Sequence, residues 1–226
     1  MAHSKPAPLP PAPEILARGP WSLKDVRTRW REDPFDAPPE RVAAADAAIA
    51  ALRERSSPSH DGVAARLVSY RETDGRLELE LQPVRWALRL VPEDASESMA
   101  ALCVTRSADG RWLAGRRAAW LSSWPGRWAL GAGGAVDLGE NPADTLAREL
   151  QEEWSVTPER IRAEALIRLP QRLTMFVGVA WLAQDAEVIP DDEHDDYAWW
   201  PADVTRWPEQ ADAPLRLTAE LLRDAA

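Results

Sequence analysis

At 226 residues, 45% of them apolar, the chain is long enough for one sizeable core and a smaller attachment. A formal net charge of −10 argues against non-specific binding of nucleic acid and adhesion to anionic lipid, both of which need basic residues. The single cysteine, Cys103, excludes an internal disulfide framework and a cysteine-cluster metal site. No apolar run reaches the ~18 residues of a membrane span and no signal-peptide pattern is present, so a cytoplasmic location is expected.

Residues 1–13 carry five prolines and read as a disordered tail. Val42, Ala45, Ile49 and Leu52 fall at helical spacing between Pro39 and Ser56 and predict an amphipathic helix. Arg66 to Arg71 and Arg76 to Gln82 read as strands joined by a turn at Thr73-Asp74-Gly75. Residues 14–95 are therefore expected to form a small α+β module. From residue 96 a second unit runs to 226. Its first hairpin turns at Ala108-Asp109-Gly110, and a strand then enters a glycine-rich loop before Gly134. Asn141-Pro142 starts a helix through Trp154, since Asn caps well and Pro suits the first helical position. The apolar run from Leu173 to Ala183 predicts a buried strand, the stretch from Tyr197 a short one ended by Pro201, and Pro214 opens a last helix with Leu217, Leu221 and Leu222 on one side. The expected fold class is α+β, an αβα sandwich with a mixed β-sheet.

The chemistry concentrates between Gly134 and Val156. Glu149, Glu152 and Glu153 stand at i, i+3 and i+4, which predicts three carboxylates on one helical face. Arg148 lies four residues before Glu152 and can pair with it. Leu146 and Leu150 form the stripe that docks the helix, and Glu140 stands just before it. Clustered carboxylates suit hard, oxygen-preferring cations such as Mg²⁺.

The segment resembles the Nudix signature: Gly, five residues, Glu, seven residues, Arg-Glu, an aliphatic residue, any residue, Glu-Glu, any residue, Gly, an aliphatic residue. Gly134, Glu140, Arg148, Glu149, Leu150, Glu152, Glu153 and Val156 match, and Ser155 replaces the final glycine, at a helix end where a positive φ favours glycine. The resemblance spans residues 98–226. It implies a Nudix fold and Mg²⁺-dependent hydrolysis (Mn²⁺ a possible substitute) of a diphosphate bond in a nucleoside diphosphate linked to another moiety. The β-rich N-terminal extension is similar to that of some Nudix enzymes that cleave UDP-sugars.

Carried over, the resemblance implies that Glu149, Glu152 and Glu153 hold the metal, with the Gly134 carbonyl as an extra ligand. Arg148 is implied to orient Glu149, and Glu140 to support a ligand or a bound water. The general base is implied to be Glu149 or Glu193, the latter in the acidic run that also holds His194 and Asp195. One of Arg116 and Arg117 is expected to clamp a phosphate, and Trp120 to stack on a base. Residues 14–95 hold no catalytic constellation, so a structural, dimerising or specificity role is expected of them, and a fragment 96–226 is expected to keep the metal site. A homodimer is compatible with this arrangement. Two rivals come from other classes: a ligand-sensing Nudix module without turnover, and the isomerase branch, whose cysteine motif the lone Cys103 does not supply.

Overall fold

Alternating and apolar runs form eleven strands among the described residues, and the order in which those strands pair decides where the acidic helix lands. The computed structural model describes residues 13–55, 61–91, 96–121 and 123–222. The expectation of a disordered tail falls on residues that lie, all but Pro13, outside this set. In chain order the elements are β1 (Glu14–Trp21), β2 (Val26–Trp30), α1 (Pro39–Glu54), β3 (Val63–Thr73), β4 (Arg76–Arg85), β5 (Met99–Arg106), β6 (Trp112–Arg117), β7 (Trp128–Leu130), β8 (Ala132–Ala135), α2 (Pro142–Trp154), β9 (Arg160–Arg168), β10 (Thr174–Trp181), β11 (His194–Trp200) and α3 (Ala213–Leu221).

Among the described residues an eight-stranded mixed sheet runs β1-β9-β10-β5-β6-β11, with β7 on β6 and β8 on β5. β10 pairs parallel with β5 and antiparallel with β9. That central position explains its unbroken apolar run, since both of its faces are covered. On one face α2 packs through Leu146, Leu150 and Trp154, all fully buried. On the other, α3 contributes Ala219 and Leu222 to a second core with Trp112, Leu130 and Trp200. This is the expected αβα sandwich.

Several expectations need correction. On α3 the inward stripe is Leu215, Ala219 and Leu222, whereas Leu217 is 53% exposed. The spacing of four and three residues, not the nearest leucines, sets that face. β11 begins at His194 rather than at Tyr197. β1, β2 and β9 were not anticipated. β9 carries a readable signal, the alternation of Ile161, Ala163 and Ala165 with Arg160, Arg162 and Glu164. β1 carries little: it is an edge strand containing Pro20 and two register shifts against β9.

The N-terminal residues are not a separate body. β1 completes the large sheet. The small sheet β2-β4-β3 buries Val26, Leu67, Leu77, Leu79 and Leu81 in the same core as Val136, Ala143 and Leu146. The Ala65 N–H donates to the Val136 carbonyl at 2.8 Å. Trp30 Nε1 donates to the Glu140 carbonyl at 3.1 Å and Asn141 Nδ2 to the Val26 carbonyl at 3.0 Å. The first module thus braces the loop that leads into α2. A fragment 96–226 exposes this shared core, so it should lack a cooperative melt and a native near-UV circular dichroism spectrum. A fragment that melts cooperatively near the full-length temperature would show that the brace is dispensable.

Candidate active site

α2 is held at both ends by its sequence. The Asn141 side chain accepts from the Ala143 N–H at 3.0 Å, a cap that contributes about 1 kcal/mol. At the other end Ser155 takes the left-handed conformation, φ 54°, and its N–H donates to the Gln151 carbonyl at 3.1 Å. The residue that replaces glycine in the Nudix-like pattern therefore keeps the glycine conformation, at a cost of roughly 1 kcal/mol.

Arg148 organises the helix face. Its Nε and Nη2 grip the Glu140 carboxylate at 2.9 and 3.1 Å, and Nη2 also donates to the Ala135 carbonyl at 3.1 Å. Nη1 lies 2.7 Å from Glu149 Oε1 and 2.9 Å from Glu152 Oε2. Glu140 accepts further bonds from Thr145 Oγ1 at 2.8 Å and the Asp137 N–H at 3.2 Å. These donors hold its carboxyl below the usual range, although burial pulls the other way.

The three helix glutamates do not share one environment. Glu149 and Glu153 are buried, while the Glu152 side chain is 57% exposed, turned outward to Arg148. The i, i+3 spacing is correct, but the helix docks along the Glu149–Glu153 edge. Glu149 sits directly over Gly134, where a Cβ would collide with every atom of the carboxyl group. Gly134 is needed for that approach. Glu153 Oε1 accepts from the Gly133 N–H at 2.9 Å. Burial pushes the Glu149 carboxyl up to about 7, against the pull of Arg148, and pushes Glu153 well up as well.

β11 brings the late acidic run to the same place. Glu193 Oε2 lies 3.5 Å from Arg117 Nη2, and burial raises its carboxyl while Arg117 lowers it. Its charge is felt by both Glu149 and Glu153. His194, which the sequence offered only as a neighbour of Glu193, is fully enclosed between Glu153 and Asp191. The signal for it lies far away, in Gly115, where a Cβ would overlap the imidazole. Arg116 and Arg117 part company because strand side chains alternate. Arg117 faces the carboxylates with Gly115. Arg116 faces the opposite side, beside Trp128 and Asp196 in register, with its Nε buried and without a hydrogen-bond partner among the described residues. Trp120 lies in the loop after β6, 41% exposed. Cys103 is fully buried and burial pushes its thiol far up, so it is an inert core residue.

The donor set fits a hard divalent cation. Its glutamates offer oxygen donors, with two buried carboxylates one helical turn apart and the Arg148 guanidinium paired with Glu140, Glu149 and Glu152. Among the described residues no three His, Cys, Asp or Glu side chains meet around one point. Glu149, Glu153 and Gly134 come together, and Arg148 holds Glu152 aside.

The raised carboxyls carry a pH signature. A glutamate at about 7 in the fold and 4.5 in its ordinary state loses its proton first in the unfolded chain as pH rises. The stability it contributes is therefore complete below about pH 4.5 and is lost as pH rises through about 7. In EDTA the melting temperature should fall across that window, and Glu149→Gln should flatten the fall. A wild-type profile that stays level or rises there would contradict the buried-carboxylate arrangement.

No curated protein sequence matches the chain. Among solved structures it is similar to a MutT protein from Methanosarcina mazei, at 24% identity over 57% of this chain and 94% of that one, TM-score 0.44. It is also similar to an Ap4A hydrolase of C. elegans (21% identity, 56% of this chain and 94% of that one, TM-score 0.44). A third is the NUDIX domain of Shewanella oneidensis NrtR complexed with ADP ribose (20%, 54% and 86%, TM-score 0.40). The model of the NUDIX domain matches residues 97–221, more than half the chain. With that match over the glutamate helix and its flanking strands, the chain belongs to the NUDIX domain family and is a Nudix hydrolase acting on phosphoric anhydride bonds.

Proposed function

We propose that this protein is a Mg²⁺-dependent diphosphatase of nucleoside diphosphates linked to a second moiety, nucleotide sugars included. The observation that supports it is the pair of buried carboxylates, Glu149 and Glu153, set one turn apart against Gly133 and Gly134 with Arg148 behind them. Two desolvated like charges at that spacing call for a cation between them. Glu152 would be the third carboxylate to hold the ion, with the Gly134 carbonyl as a backbone ligand. When bound, the divalent ion neutralises phosphoryl charge and makes water a stronger nucleophile.

The chain's own residues do the rest. Arg148, locked by Glu140, holds Glu149 in place. Arg117 faces the cluster and offers its guanidinium to a phosphate, which it can bind in bidentate fashion. Arg116 lies on the other side of the sheet and contributes at most to the remote part of the substrate. Trp120 provides an exposed aromatic face for the base. We assign the general base to Glu193: Glu149 is paired with Arg148 and would be among the residues that hold the ion, whereas among the described residues the Glu193 side chain is paired with Arg117 alone.

Two experiments test this reading, after a phosphate-release screen over nucleotide sugars, ADP-ribose, NADH, dinucleoside polyphosphates and nucleoside triphosphates. In the first, EDTA should abolish turnover and Mg²⁺ or Mn²⁺ restore it. Glu153→Gln should lower kcat by a factor on the order of 10² without lowering the melting temperature in EDTA. Turnover in excess chelator, or a Glu153→Gln protein with wild-type kcat and an unchanged Mg²⁺-induced shift in melting temperature, would refute it. Saturable binding without hydrolysis would favour a sensing module. In the second, Glu193→Gln should lower kcat by roughly tenfold or more and remove the acidic limb of the pH–rate profile, leaving the Mg²⁺-induced thermal shift intact. A retained acidic limb would move the base role to Glu149.

A further inference from the structure

A hydroxyl enclosed in a core is costly unless it is bonded, and α2 carries one at Thr145. The residue is 0% exposed and belongs to the buried set of the helix with Ala143 and Leu146, where valine would fill the same space. Its hydroxyl has one proton and two acceptors in range, Glu140 Oε2 at 2.8 Å and the Asn141 carbonyl at 3.4 Å. The Asn141 carbonyl already accepts from the Thr145 N–H at 3.1 Å. A charged acceptor at the shorter distance is the stronger of the two, so the hydroxyl is committed to Glu140.

Glu140 has little other freedom. Its N–H donates to the Asp137 carbonyl at 3.0 Å and its own carbonyl accepts from Trp30 Nε1 at 3.1 Å, which pins the backbone and leaves the carboxylate orientation as the variable. Arg148 Nε and Nη2 meet the two carboxylate oxygens at 2.9 and 3.1 Å. An arginine is a long, rotamer-rich side chain, however, and follows its partner as readily as it directs it. Thr145 is β-branched and fully enclosed, so its χ1 is restricted. It is a rigid point on the helix from which Glu140 Oε2 is set. Arg148 then carries that setting on to Glu149, whose Oε1 lies 2.7 Å from Nη1.

We propose that Thr145 is a positioning residue whose hydroxyl orients the Glu140 carboxylate and, through Arg148, the Glu149 carboxylate for cation binding. The inference rests on the metal-dependent reading of the α2 cluster. Full-length wild type, Thr145→Val, Thr145→Ser, Glu140→Ala, the Glu140→Ala/Thr145→Val double variant and Glu153→Gln are compared. Mn²⁺ binding is read from the loss of the free-ion electron paramagnetic resonance signal, beside melting temperatures in EDTA. Valine keeps the volume and removes the hydroxyl. It should weaken Mn²⁺ binding roughly 3- to 10-fold, below the range for a ligand's direct partners because the effect passes through Glu140 and Arg148. Serine keeps the hydroxyl and loses a methyl, so it should melt below the valine variant yet bind Mn²⁺ within about twofold of wild type. In the Glu140→Ala background, Thr145→Val should change Mn²⁺ binding no further. A packing role predicts valine equal to or better than serine in both measurements, and that order overturns the proposal. So does a several-fold loss when Thr145→Val is added to Glu140→Ala, since the effect then bypasses Glu140. Should Glu140→Ala fail to fold, the order of valine and serine decides alone. A valine variant that binds like wild type, beside a weakened Glu153→Gln, overturns the proposal and leaves the cluster reading standing. Wild type that fails to bind Mn²⁺, or Glu153→Gln that binds it unchanged, overturns the cluster reading and this proposal with it.

Discussion

The Arg148 guanidinium is the joint on which this site turns. It bonds Glu140 in the loop, the Ala135 carbonyl at the end of β8, and both Glu149 and Glu152 on its own helix. Strand end, loop and helix are thereby fixed to one planar group, and the planarity matters: a lysine could supply the charge but not the bidentate grip on Glu140. At about 29% exposure it is sheltered enough for these bonds to be stronger than those of a surface pair, yet it remains wet at one edge, where Glu152 sits. What Arg148 does not reach is equally important. Glu153 lies beyond it and accepts from the Gly133 N–H.

The glycines decide how close backbone and carboxylate come. Gly134 allows the Glu149 carboxyl to lie over its Cα, and Gly115 opens the slot for His194. Both are places where a side chain has been removed so that a polar group from elsewhere can enter. The N-terminal residues contribute in a different way. β2 and β3 hold the loop around Val136 to Asn141 through the Val26 carbonyl, the Ala65 N–H and the Trp30 indole. A loop restrained at those points presents Glu140 to Arg148 with little freedom, so residues remote in sequence act on the site through the geometry of one ion pair.

Much of this was legible in the sequence, and the parts that were not share a cause. The α2 boundaries followed from Asn141, Pro142 and the apolar spacing, and the hairpin turns from Asp74-Gly75 and Asp109-Gly110, because local chemistry fixes caps and turns. The Glu149–Glu152–Glu153 cluster followed from helical periodicity. Its division into two buried carboxylates and one exposed one did not, since that depends on which edge of the helix meets β8. His194 was hidden for the same reason: an acidic run reads as solvated until the sheet places it opposite Gly115. Arg116 and Arg117 are adjacent and chemically alike, and only the pleat separates them. Tertiary placement settled each of these, and no local pattern encodes it.

Charge explains why the cluster is poised as it is. Glu140, Glu149, Glu152 and Glu153 face one guanidinium, and Glu193 with Arg117 adds a near-neutral pair at the edge. Glu140 absorbs most of Arg148, being held on both oxygens, and Glu152 shares its charge with water. The remaining demand for positive charge falls on Glu149 and Glu153, the two carboxylates least able to obtain it from solvent. Arg117 meets part of it at Glu153 and shares its charge with Glu193. Protons can fill the deficit, and that is why both carboxyls are pushed upward. A divalent cation held there would fill it better, because one ion would balance both carboxylates. The burial that makes the two carboxyls costly to ionise alone is thus the same property that would make protons and a cation compete for them.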